Sequence, residues 1–210
     1  MLGRNIHIGI GKETTRGTVA STISYLPKTS ASFDSKVEKA NNEASIGVLQ
    51  DSYESNVVKE HAEGEVEQNL QMNAVSFLLL AAFGAVTSAT DSAGAYKHDF
   101  TVAQNNSHPS MTIVVADDVQ DYAYTNAMLD TLELSASANQ YINLKTSWKA
   151  RKGATTSATP TYSSNDLTFL AKNMTVKMAN DEAGLSGATN ICVETFSLNI
   201  QKNLQEEVCL

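Results

Sequence analysis

The chain has 210 residues, 42% of them apolar and 18% charged. That is long enough for one β domain with a real core, and too apolar for intrinsic disorder. The net charge of −8 and a pI near 4.9 exclude a general nucleic-acid binder, which needs a basic face to displace counterions from phosphate. Cys192 and Cys209 make neither a disulfide framework nor a zinc site and read as free thiols. The opening MLGRNIHIGIGKETT has no apolar core of a secretory signal, so folding in a reducing cytoplasm is expected.

In chain order, residues 1–42 are polar and punctuated by Gly9, Gly11, Gly17 and Pro27. Gly9 to Thr14 reads as a flexible turn before a strand, Thr18 to Leu26 as a short strand, and Thr29 to Ala44 as an extended arm or long loop. Ser45 to Val48 is a further short strand candidate, with Asp51 and Ser52 leading on. Residues 1–52 are thus expected to form an arm with the first short strands, and 53–210 a single β core.

From Lys59 to Gln71 the odd positions are all polar: Lys59, His61, Glu63, Glu65, Glu67, Asn69 and Gln71. Most even positions, Ala62, Gly64, Val66 and Leu70 among them, are small or apolar. A period of two marks a half-buried strand, and at about 3.3 Å per residue it reaches roughly 45 Å. One face carries a file of acids. The pattern then changes. Asn73 is a good N-cap, Ala74 to Phe83 is apolar nearly all round, and Gly84 is a good stop, so a short helix is expected over about Asn73 to Phe83. At roughly 15 Å it spans half a bilayer and is no membrane segment. Being apolar on every side it needs cover on every side, and Phe77, Leu78, Leu79, Leu80 and Phe83 are its candidate packing residues toward the chain's own sheet and a neighbouring subunit.

Ala85 to Ala95 reads as a small-residue loop, and Tyr96 to Val102 and Met111 to Val115 as two strands around a turn. Tyr122 to Ala150 is a long hairpin with one apolar face, turning at Ser137 to Gln140. A Gly-, Ser-, Thr- and Pro-rich loop follows over Arg151 to Asn165. Leu167 to Met178 and Cys192 to Lys202 are the last strand regions. The ending Glu207 to Leu210 is apolar for an exposed terminus, which suggests docking or further elements downstream. Hairpin-length connections make the sheet mainly antiparallel, giving a β-sandwich or flattened barrel with one flanking helix and long loops.

The motifs tested for chemistry fail. Gly9 to Thr14 lacks a phosphate loop's first glycine, because Ile6 stands there, and its hydroxyl residue after the lysine, because Glu13 stands there. Thr14 replaces the third glycine of a dinucleotide loop. Ser186 lacks the glycine and the strand–turn–helix setting of a nucleophile elbow. His61, Glu63, Glu65 and Glu67 sit about 6.5 to 7 Å apart along one strand face, too far for one tight metal site. Asp117, Asp118 and Asp121 lack the spacing of a calcium loop. Lys145, Trp148, Lys149, Arg151 and Lys152 form a basic cluster that reads as a strand end with Trp148 in the core, and also as a complement to the acidic file on a neighbouring copy. No catalytic constellation and no cofactor site emerges, so no enzyme is indicated.

Gly9 to Thr18 (GIGKETTRGT), Tyr25 to Lys28 (YLPK), the segment around Glu43 to Gly47, the strand Lys59 to Leu70 with Glu63-Gly64, and Leu78 to Gly84 together resemble the major tail (tail tube) proteins of long-tailed bacteriophages. The resemblance covers the first 85 residues or so best. It implies a β-sandwich with a flanking helix, assembled into hexameric rings that stack into a tube. Such a tube holds the tape-measure protein and later conducts DNA, which it does not bind specifically. It also implies a place in the virion tail after assembly in the host cytoplasm. On this reading Glu63, Glu65, Glu67, Asn69 and Gln71 face the lumen or a ring contact. A ligand-binding β-sandwich, of the carbohydrate-binding or adhesin kind, is the alternative.

Overall fold

In the computed structural model, which describes residues 5–44, 47, 49, 54–73, 75–91, 94–105, 107–164 and 166–204, the chain is mainly β. The described strands are β1 (His7–Lys12), β2 (Ser24–Leu26), β3 (Lys28–Asn42), β4 (Glu54–Asn69), β5 (Gly84–Thr90), β6 (Tyr96–Val102) and β7 (Met111–Ala116). They continue with β8 (Asp121–Ser137), β9 (Asn143–Ala150), β10 (Ala154–Thr156), β11 (Val176–Lys177), β12 (Asn190–Ile191) and β13 (Thr195–Gln201). The helix α1 (Val75–Phe83) follows β4, and one further helical turn spans Glu182–Leu185.

Nine of these strands form one curled antiparallel sheet, a half-barrel; seven run in the order β2-β1-β7-β8-β9-β4-β3, and β10 and β13 each pair with β8. The 17-residue β8 is its spine. β7 and β13 lie end to end along one side of β8, and β9 and β10 along the other. The expected antiparallel β fold with a flanking helix is thus present, as one large curled sheet beside two two-stranded ribbons, β5–β6 and β11–β12.

The core lies on one face of that sheet, under α1. Ile8 and Ile10 of β1, Ala62 and Val66 of β4, Leu129 and Leu132 of β8, and Leu144 and Trp148 of β9 point into it, joined by Leu78, Leu80, Ala81 and Ala82 of the helix. Trp148 is 2% exposed, and its indole Nε1 donates to Thr146 Oγ1 at 2.9 Å, so the one polar atom of the ring is satisfied in the core. Gly64 lies between Phe33 and Trp148 in the strand register, and a Cβ there would collide with the Phe33 ring. The glycine lets the Phe33 ring lie flat across β4.

Several expectations need correction. Gly9 and Gly11 do not make a flexible turn. They lie inside β1, where Ile23 and Tyr25 cross so closely that a Cβ on Gly9 would meet Ile23 at 2.4 Å. Close backbone approach, not a bend, explains these glycines. Residues 28–42, expected as an arm or loop, are strand β3, paired with β4; Ala31 and Phe33 lie against the core, and the charges beyond them suit a ribbon wet on both faces. The small-residue stretch after the helix is strand β5, paired with β6. β6 and β7 therefore do not form a hairpin together, because β7 pairs with β1 and β8. The region 167–178 is broken into isolated bridges from Thr168 to Gln71 and from Leu170 to Tyr141, a 3-10 turn at Ala171–Asn173, and β11. Ser45, Ile46, Val48, Asp51, Ser52, Ala74, Cys209 and the ending Glu207 to Leu210 lie outside the described residues.

Candidate functional site

The polar residues of β4 build the candidate face. In register, Glu67 pairs with Lys145 of β9, which pairs with Glu133 of β8, which pairs with Asn199 of β13. One row along, Ser32, Glu65, Ser147, Thr131 and Gln201 line up across β3, β4, β9, β8 and β13. Asn69 opens a third row through Asn143, Ser135 and Ser197. These rows share the face opposite the core, because side chains alternate along every strand.

The face is cross-linked by side chains. Lys145 Nζ reaches Glu65 Oε2 at 2.9 Å, Asn143 Nδ2 donates to Glu67 Oε1 at 2.8 Å, and Ser30 Oγ donates to Glu67 Oε2 at 3.1 Å. The Thr131 and Ser147 hydroxyls meet at 2.6 Å. Lys145 is held above the ordinary lysine range, first by its hydrogen bond to and the charge of Glu65, then by Glu67 and Glu133. Two members of the basic cluster thus meet acids of β4 within the chain, Lys145 at Glu65 and Lys152 at Glu60. Glu63 and Glu65 are exposed, while Glu67, Asn69 and Gln71 are half-buried. Gln71 stands apart from the rows, bridged to Thr168. Among the described residues no group of three or more His, Cys, Asp or Glu side chains converges on a metal site. Asp117, named above with Asp118 and Asp121, spends its Oδ1 on the amides of Val119 and Gln120, and those bonds hold its carboxyl below the usual range.

The expected packing helix divides its residues. Leu78 and Leu80 are buried in the chain's own core, and Phe77, Leu79 and Phe83 are half-buried. Gly84 stops the helix at φ +90°, as a C′ glycine does.

A buried carboxylate escaped the sequence reading. Glu13 is 5% exposed. Its Oε2 accepts from Ser110 Oγ at 2.6 Å and the Gly17 amide at 2.7 Å, and its Oε1 accepts from the Asn126 amide at 2.7 Å and Thr112 Oγ1 at 3.1 Å. Asn126 stands at φ 54° where the β7–β8 register slips, and Glu13 takes up its amide. The signal was Glu13 itself, an acid between a strand and a glycine turn.

The chain matches the family model for phage tail tube proteins over residues 3–209. It belongs to the phage tail tube protein family. No curated protein matches it. Tail tube proteins are structural components of the virion tail and assemble with other tail proteins. Among the described residues, no helix is long and apolar enough to cross a membrane.

One strand of this tail tube protein has a second character. β4 pairs with β9 only from Ala62 to Asn69, so Glu54 to His61 continue as a two-stranded ribbon with β3 alone. Along the ribbon Val57 and Val58 are 53% and 62% exposed. At the other end of β4, Met72, Tyr141, Leu167 and Phe169 form an exposed apolar group where 167–171 bridges to 71 and 141.

Proposed function

We propose that this chain is the repeating subunit of a phage tail tube, closing six to a ring, with rings stacked along the tail. The observation that carries the reading is the polar face of five strands on a sheet whose other face holds the whole core. Turned toward a lumen, that face offers DNA exposed carboxylates, and Lys145 is already held by Glu65. A polyanion would then slide along it without being gripped. Glu63, Glu65, Glu67 and Asn69 line the passage, and Gln71 lies at its rim. The same passage holds the tape-measure protein before ejection, and the subunit assembles in the host cytoplasm.

The sheet is open: among the described residues β3 and β13 each pair with a single strand. Ring closure removes such edges. The half-buried Phe77, Leu79 and Phe83 gain their remaining cover from the next subunit. The β3–β4 ribbon and the apolar group around Met72 and Leu167 sit at opposite ends of the longest paired strands, which suits a contact from one ring to the next.

Negative-stain electron microscopy across a concentration series, with light-scattering mass alongside, tests this. Rings or hollow tubes are expected. A monodisperse monomer at high concentration would overturn the assembly reading.

A further inference from the structure

A polar knot at the end of α1 has no part in the polar face. Lys202, just past β13, donates from Nζ to the Ala81 carbonyl in the last turn of α1 at 2.8 Å and contacts His108 Nδ1 at 3.0 Å. A cation is well placed there, at the negative end of the helix dipole. His108 Nε2 lies 3.2 Å from the Ala103 carbonyl, so the ring proton resides on Nε2 and Nδ1 is the acceptor for Lys202. The helix end, the β6–β7 connection and the end of β13 are thereby joined through one imidazole.

We propose that this knot is an acid-sensitive latch: protonation of His108 releases Lys202, and with it the end of β13, from α1. A protonated ring donates from both nitrogens and accepts at neither. Its Nδ1–H would then face an ammonium at hydrogen-bond distance. The ring lies against the backbone of Gly84, in space that a side chain there would fill.

Two further charged groups flank the knot. α1 contributes only the Ala81 carbonyl. The loop after β1 brings Arg16, whose guanidinium donates to the His108 carbonyl at 2.8 Å. β8 brings Asp130, whose carboxylate accepts from the Leu204 amide and whose carbonyl accepts from the Lys202 amide. Burial, and then the Lys202 charge, hold the imidazole below its ordinary value near 6.5, with the Ala103 hydrogen bond opposing them. A depressed base binds fewer protons folded than unfolded. Its contribution is therefore present above the ordinary value and is lost as pH falls below it. β13 is the element to yield, since it pairs with β8 alone and most of its residues are exposed.

Hydrogen exchange of the purified full chain, corrected for the intrinsic pH dependence, reads the latch directly. Between pH 7.5 and 5.5, peptides covering Thr195 to Lys202 should lose protection several-fold, while those of β4 and β9 hold. His108→Asn keeps an acceptor near the Nδ1 position and cannot titrate, so its β13 protection should stay flat. Lys202→Gln keeps a donor without the charge, and its pH response should shrink. Flat protection of β13 in the unmodified protein, or an undiminished acid response in either variant, would overturn the proposal.

Discussion

The two halves of β4 are one continuous strand in two settings. Ala62 to Asn69 has β3 on one side and β9 on the other, and its burial alternates residue by residue. Glu54 to His61 has β3 alone, and none of it is buried. Both halves are extended strand, with one register slip at Val58 in the free half, and the difference in burial follows the neighbours: a strand acquires an inside only where a third strand and a helix give it one. The first half is stable because the second half is anchored, since an isolated two-stranded ribbon is marginal in water.

The comparison can be broken hardest at Trp148, which packs beside Gly64 in the anchored half. Trp148→Ala should lower folding stability by about 3–5 kcal/mol, read by chemical denaturation, because the site cannot collapse around a missing indole. A loss below about 1 kcal/mol would mean that the anchored half is not the source of order. Next come the carboxylates on the wet side of the same segment. Reversing Glu63, Glu65 and Glu67 together to lysine places like charges opposite Lys145 and Lys149, at roughly 0.2–1 kcal/mol per pair. The protein should still fold by circular dichroism while DNA ejection from virions carrying it fails. Normal ejection would remove these residues from the lumen. The smallest effect on the fold is expected in the free half. Val57→Ser with Val58→Ser should cost the isolated subunit under about 0.5 kcal/mol each, yet reduce tube length in electron micrographs. Full-length tubes would exclude this ribbon from the contact between rings.

Much of the fold was legible because alternation is a local signal. Lys59 to Gln71, the Tyr122 to Ala150 hairpin and the apolar helix ended by Gly84 each declare themselves through residues that are neighbours in sequence. β5 and most of β3 did not, because alternation records burial, and a stretch wet on both faces has nothing to alternate. β1 was hidden by Gly9 and Gly11, which read as turn residues although their role is to let Ile23 and Tyr25 pass close by. The acids of the candidate face were visible as a file, but their partners were not. Lys145 lies on a strand about 80 residues away, and only the register of β4 against β9 brings it to Glu65. Glu13 escaped for the same reason, since its four donors are scattered from Gly17 to Asn126.

That scattering sets the order in which the molecule can be completed on the ribosome. β1 can pair early with β2, but its partner on the other side, β7, lies about a hundred residues downstream, and Glu13 is separated by 113 positions from the Asn126 amide that it accepts. At about 5–20 residues per second, the β1–β2 pair waits roughly 5–20 s for β7 to join it to the rest of the sheet. The nascent chain must carry Ile8 and Ile10 unsheltered through that interval, so the opening segment is where a chaperone would have most to protect.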